Sequence, residues 1–222
     1  MLTSLLAPLF ATGMALAQET VEIGVIRDED IAVVQRMLYP KVDRSEFGVH
    51  LGIMPFDPYL TTPNAQFTFT RHLTNTVAFS SVLGGGYGLK TNVYKLLESP
   101  TFGVAPYAYR YLGALLLGIE YAPIYAKMNL NGARVYHFDI YGVARGGLTV
   151  EQSVLPDGDL AFGPTISPGL GMRLFVGDNT ALRVEFRDDV LLERRAITQS
   201  SHIKQNANVS FGLVFLSKVE GR

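Results

Sequence analysis

The chain contains no cysteine and no tryptophan. Without thiols it can build neither a disulfide framework nor a thiolate metal site. Charged residues are scarce, at 18%, and nearly balanced, with a formal net charge of −1. That excludes the broad basic field by which a protein holds nucleic acid. Long hydrophobic runs are missing too. Beyond the first residues no apolar stretch reaches the ~18–20 residues of a transmembrane helix. Mean hydropathy is nevertheless +0.19, so the apolar surface must be carried in another form. Gly (22), Phe (13) and Tyr (11) are plentiful among the 222 residues. That composition, with few charges, favours sheet over helix.

The N-terminus accounts for part of the hydropathy. Leu2 to Leu16 are apolar or small, and Ala15-Leu16-Ala17 supplies an A-x-A cleavage site before Gln18. This reads as a secretory signal peptide over residues 1–17, although no Lys or Arg follows Met1. A buried N-terminal helix is the alternative, weakened by Pro8 and Gly13. Residues 18–45 then read as a periplasmic segment. Asp28-Glu29-Asp30 precede Ile31, Val33, Val34, Met37 and Leu38 at helical spacing. The spacing predicts a short amphipathic helix over Val25 to Tyr39, its acidic first turn suited to the helix dipole and Pro40 ending it.

From Glu46 the period changes to two. Phe47, Val49, Leu51 and Ile53 alternate with Gly48, His50, Gly52 and Met54. The same alternation recurs at 66–70, 77–80, 114–121, 136–141, 170–175, 182–187 and 209–215. Eight strands are therefore expected. Three connections have tight-turn compositions: His72-Leu73-Thr74-Asn75, Asn129-Leu130-Asn131-Gly132 and Gly177-Asp178-Asn179-Thr180. The others look long, over Pro55–Pro63, Leu83–Leu112, Val150–Thr165 and Leu191–Gln205. Within the second of these, Leu96 and Leu97 suit a short helix. Short turns at one end and long loops at the other describe an all-β, eight-stranded antiparallel up-and-down transmembrane β-barrel. It is expected to run over residues 46–217, with a periplasmic tail at 218–222.

The two strand faces differ sharply. One is apolar. The other collects His50, Glu120, His137, Asp139, Tyr141, Arg145, Arg173, Arg183, Glu185, Arg187 and Asp189. A soluble ligand-carrying barrel would be apolar inside and polar outside; here the order is reversed. An eight-stranded barrel is just wide enough for side chains to fill it, so these groups must neutralise one another inside. The expectation is a polar lumen network in which Glu120, Asp139, Glu185 and Asp189 pair with Arg145, Arg173, Arg183 and Arg187. Tyr107, Tyr109, Tyr111, Tyr121, Tyr125, Tyr136 and Phe215 are candidates for interfacial aromatic girdles.

Three segments carry a family resemblance. Val25 to Gly52 (VIRDEDIAVVQRMLYPKVDRSEFGVHLG) resembles the start of a family of outer-membrane β-barrels best known from myxobacteria. Ala122 to Gly147 resembles that family's central strand-turn-strand. Pro168 to Val190 is similar to its third hairpin, which is also broadly OmpA-like. Members commonly have Gly before the lysine where this chain has Ala126-Lys127. The resemblance implies an outer-membrane address and, for some members, a place in envelope or gliding-motility assemblies. Its motifs are structural, and it implies no substrate.

Catalytic and ligand readings are weaker. Ser200-Ser201-His202 pairs a nucleophile type with a base type, but neighbouring residues rarely have the needed geometry. His137 and Asp139 share a strand face, and His50 would join them for metal or acid-base work only across the lumen. Gly84-Gly85-Gly86-Tyr87-Gly88 lacks the Lys-Ser/Thr of a phosphate loop and reads as the start of an outer loop. Asp157-Gly158-Asp159 lacks the later Glu of a calcium loop. The sequence thus points to no enzyme, no cofactor and no metal. The favoured function is a charge-plugged structural or interaction component of the envelope. Its expected partners are outer-membrane lipid, lipopolysaccharide and other envelope proteins. A narrow or laterally opening channel for small molecules is the alternative, a lipid-modifying enzyme a third reading, and a soluble lipocalin-like binder a fourth.

Overall fold

In a computed structural model of the protein, residues 38–130, 134–155, 158–194 and 201–218 are described. The expected signal peptide and the Val25–Tyr39 helix lie outside them, apart from Leu38 and Tyr39. Among the described residues, nine strands and one helix follow in order: β1 Ser45–Met54, β2 Leu60–His72, β3 Val77–Gly86, β4 Leu89–Lys90, α1 Asn92–Glu98, β5 Tyr109–Leu130, β6 Arg134–Ser153, β7 Leu160–Gly177, β8 Thr180–Arg194 and β9 Ser201–Leu216. β4 is a two-residue strand beside the start of β2. The other eight pair antiparallel with their neighbours, and β1 pairs with both β2 and β9, closing the ring.

The register fixes the barrel's dimensions. Paired residues can be followed from Phe47 through Phe69, Ser81, Leu117, Gly146, Ile166 and Val190 to Gln205. That point on β9 is ten residues from Phe215, the residue paired with Phe47. A stagger of ten over eight strands, with ~3.3 Å rise and ~4.7 Å strand spacing, corresponds to a strand tilt of about 41° and a radius of about 8 Å. An interior of that width is just wide enough for side chains to fill.

Alternation decides which side chains go where. On β1, Phe47, Val49, Leu51 and Ile53 face outward, while Glu46, Gly48, His50 and Met54 are buried inside. The outer face is apolar all round: Leu51 is 70% exposed, Ile166 68% and Phe211 55%. The inner face holds Arg145, Arg173, Arg183 and Arg187, each 2% exposed or less. Exposed aliphatics and buried guanidinia are stable together only when the surroundings are hydrocarbon. The wall is therefore a transmembrane β-barrel. No described helix is long and apolar enough to cross a membrane.

The strands are longer than alternation alone indicated. β5 has 22 residues and β6 has 20. β3 runs through Gly84-Gly85-Gly86, so the glycine run is wall and not the start of a loop. β2 begins at Leu60 and carries Pro63, and β7 begins at Leu160 and carries Pro164. The expected loops at Pro55–Pro63, Leu83–Leu112, Val150–Thr165 and Leu191–Gln205 shrink accordingly. Gly and Pro read as breakers in isolation; in a closed wall, neighbours on both sides hold them extended.

Candidate functional site in the barrel lumen

The short turns at 73–76 and 178–179, with the end of β5 at Leu130 and the start of β6 at Arg134, mark one end of the barrel. Closed antiparallel barrels of this kind are the architecture of the bacterial outer membrane, with short turns on the periplasmic side. The lower, periplasmic part of the lumen is a lattice of ions. Arg173 contacts Glu120 at 2.6 Å, Asp139 at 2.9 Å and Glu46 at 2.9 Å. Arg183 contacts Glu46 at 2.9 Å, Glu120 at 2.8 Å and Glu185 at 2.8 Å. Arg145 grips both oxygens of Glu185, at 2.6 and 3.0 Å, and its Nε donates to Ser80 Oγ at 3.0 Å. Higher up, Arg187 Nε donates to Asp189 at 3.0 Å and Nη1 to Gln66 at 2.6 Å, while Ser167 donates to Asp189 at 2.5 Å.

Tyr141 stands at the centre of the lattice. Its hydroxyl accepts from Arg183 Nε at 2.6 Å and donates to Glu185 at 3.2 Å. The Arg183 guanidinium lies 4.4 Å from its ring centroid and that of Arg173 5.2 Å. Both distances suit cation–π attraction. The ring occupies this place because its cross-strand neighbour is Gly171. A Cβ there would fall 2.2 Å from the ring. His50 is accommodated in the same way by Gly212, where a Cβ would lie 2.5 Å from the imidazole.

The lattice reaches below the wall. Lys41, ahead of β1, turns into the periplasmic mouth and donates to Asp139 at 2.5 Å. Burial lowers the Lys41 ammonium from the usual lysine value, and Asp139 opposes that shift. Arg44 donates to the backbone oxygens of Ser217 at 2.7 Å and Asp178 at 2.9 Å, tying the segment before β1 to the last turn and the end of β9. Its guanidinium is likewise lowered by burial and supported by Asp178. Tyr39 stacks on Phe175 at 4.9 Å.

Of the eleven residues expected in the network, ten are buried in the lumen. His137 is not among them. It sits half-buried at the periplasmic rim, edge-on to Tyr39 at 5.4 Å and near Tyr125 at 6.0 Å. His50 bonds Thr68 at 3.0 Å. The possible His50–His137–Asp139 group therefore does not assemble, and no metal-holding cluster forms among the described residues. The girdle candidates divide. Tyr121 and Phe215 stand on the outer face, whereas Tyr109 and Tyr111 are buried inside the barrel and Tyr107 lies at its mouth. Ser201 and His202 open β9, with Ser200 outside the described residues.

Two ionic members went unnoticed in the sequence, Glu46 and Lys41, together with the buried His72, whose ring lies 3.2 Å from Glu46. Glu46 was signalled by its phase, since it alternates in step with Gly48 and His50. With it and Lys41 included, five carboxylates (Glu46, Glu120, Asp139, Glu185, Asp189) meet five cations (Lys41, Arg145, Arg173, Arg183, Arg187). Above them the lining is mainly neutral, with Asn64, Gln66, Thr149, Thr165, Asn206 and Asn208, up to a further ion pair, Lys204 with the buried Glu151 at 2.8 Å, near the outer mouth.

No protein-family model and no curated protein matches the sequence. Among solved structures, the chain is similar to the outer membrane protein OprG of Pseudomonas aeruginosa. The identity is 12%, covering 82% of this chain and 98% of that one, with a TM-score of 0.43. It is also similar to Ail, the attachment invasion locus protein of Yersinia pestis, at 10% identity, covering 79% and 99%, with a TM-score of 0.42. A de novo designed transmembrane β-barrel is similar at 13% identity, covering 81% and 100%, with a TM-score of 0.39.

Proposed function

We propose that this protein is a sealed outer-membrane scaffold: its lumen is closed by paired charges, and it serves the envelope through the surfaces it presents at either end. The balanced five-by-five lattice carries the reading. A conducting pore needs hydrated, exchangeable groups along its axis, whereas these ions are paired with one another and buried. Lys41 adds a stopper at the periplasmic mouth. In planar bilayers the wild-type protein is expected to pass no steady current at neutral pH; a steady current overturns the sealed reading. The interaction role, in line with the family resemblance to envelope assemblies, predicts that envelope proteins co-purify with the full chain. They are expected to be lost when residues 18–44 are removed.

A lateral path for small molecules is favoured by one observation. The β7–β8 pairing skips Ser167 and Pro168, and Pro168 lacks the N–H to complete it. Outside this gap lies an apolar groove of ≈ 730 Å³ that includes Pro168 and Asp188. The chain has no native cysteine, so a P168C/D188C crosslink would be specific. Loss of small-molecule uptake on crosslinking would support this second reading; unchanged uptake counts against it.

A further inference from the structure

At the outer mouth, opposite the Lys41 stopper, a cleft of ≈ 240 Å³ opens between the first loop, the start of β5 and the β8–β9 ends. Phe56, Tyr59, Tyr107 and Tyr109 supply its apolar walls. The Tyr107 and Tyr109 rings meet at 86° with their hydroxyls 2.6 Å apart, forming a rigid corner. Asp57 and Glu193 bring carboxylates, and Lys204 lies in the same cleft. Lys204 donates to Tyr109 O at 3.0 Å and to the buried Glu151 at 2.8 Å, which fixes its position.

The walls are held in advance of any ligand. Asp57 Oδ1 accepts from the backbone N–H groups of Tyr59 at 2.8 Å and Leu60 at 3.1 Å, setting the turn. Thr91, the N-cap of α1, donates its N–H to Tyr59 O at 2.9 Å and its hydroxyl to Pro58 O at 2.8 Å. Leu60, Tyr94, Ala108 and Val154 form an apolar cluster beneath, with Tyr59 packed against it. The structured part of the third connection, β4 and α1, thus braces the segment that lines the cleft.

We infer that this cleft binds a single neutral sugar ring of a surface glycan. A pyranose offers an apolar C–H face to an aromatic ring and a rim of hydroxyls that both donate and accept. The cleft supplies aromatic faces beside carboxylate acceptors and an ammonium donor. With both signs of charge in one cleft, neither an anion nor a quaternary ammonium group meets a uniformly attractive field, whereas a neutral ring can use both the acceptors and the donor. The volume lies below the ~300–1,000 Å³ of pockets for drug-sized ligands, which suits one ring.

The test uses the full chain folded into phosphatidylglycerol vesicles free of lipopolysaccharide. The probes are methyl glucoside, methyl galactoside and N-acetylglucosamine, with a sulfated hexose and choline as controls. The chain has no tryptophan, so its tyrosine emission is read directly, alongside saturation-transfer NMR. Saturable binding of a neutral sugar is expected near ~1 mM, weakened at least ~10-fold by Phe56→Ala combined with Asp57→Asn. Asn retains an oxygen for the Tyr59 and Leu60 N–H groups, so the turn survives, and folding is checked by heat-modifiable gel mobility. Lipopolysaccharide core oligosaccharide and an extracellular polysaccharide form two further arms. Tighter binding to the first identifies the cell's own surface as the source, and to the second a foreign one. Absence of saturable binding, binding unchanged in the folded double variant, or preference for the sulfated sugar or choline overturns the inference. Bilayer conductance reports separately on the sealed lumen.

Discussion

The lower and upper parts of the lumen are walled by the same eight strands yet filled on different principles. Below, Arg173 and Arg183 each touch three carboxylates, and removing any partner strands a buried charge. Above, short of the Lys204–Glu151 pair at the outer mouth, the contacts are mostly between neutral groups, such as Thr149 with Thr165 at 2.6 Å and Gln66 with Asn64 at 2.5 Å. Neutral amides and hydroxyls tolerate exchange for water, while desolvated ions do not. The lower lumen is therefore a cooperative block whose members depend on one another. The upper lumen is a set of nearly independent contacts leading to the outer mouth.

The comparison breaks most severely at Arg183. Arg183→Met removes the cation shared by Glu46, Glu120 and Glu185 and also the donor to Tyr141. The expected loss is about 3–5 kcal/mol, the range for stripping one partner from a buried ionic group. Urea unfolding in vesicles, followed by heat-modifiable mobility, measures it. A loss below about 1 kcal/mol would instead place Arg183 among groups that behave like exposed ion pairs.

A neutral change at the same level probes packing without touching charge. Gly171→Val drives a side chain into the Tyr141 ring. The ring must move, and its hydroxyl leaves Arg183 and Glu185. A loss of about 1–3 kcal/mol is expected for overpacking of this kind. The combination Gly171→Val with Tyr141→Ala should recover much of it, because the obstruction is gone. Absence of recovery would mean that the hydroxyl contacts, not the close approach, dominate at this position.

Much of the charged block was legible because side chains alternate strictly along a strand. Once Phe47 faces lipid, His50 must face the lumen, and the same parity places Arg173, Arg183, Glu185 and Arg187 together. Lys41 was not legible: it precedes the strands, and no periodicity states that a segment turns back into the mouth. His137 has the correct parity but lies too near the β5–β6 turn, so height along the barrel, set by the stagger of ten, excludes it. The neutral upper residues Asn64 and Asn208 were overlooked for a different reason. A polar residue on a strand announces a face, but only charge announces an obligation to find a partner.

The smallest expected effect sharpens the other side of the comparison. Thr149 and Thr165 lie on paired strands, and Thr165 Oγ1 also donates to Gly163 O at 3.2 Å. Thr149→Val leaves the Thr165 hydroxyl its backbone acceptor, so a loss of about 0.5–1.5 kcal/mol is expected, that of one hydrogen bond between neutral groups. Replacing both by Val substitutes an apolar pair of the same shape and is expected to be nearly neutral, because neither change leaves an ion behind. The same logic applied to Arg183 and Glu120 fails, since Glu46 and Glu185 would each lose a cation partner and Arg173 a carboxylate, although the total charge stays balanced. Pairwise exchange that is tolerated above and destructive below would show that the lattice, not the wall, makes the lower barrel cooperative. Equal tolerance at both levels would mean that backbone closure dominates and the ions merely fill space.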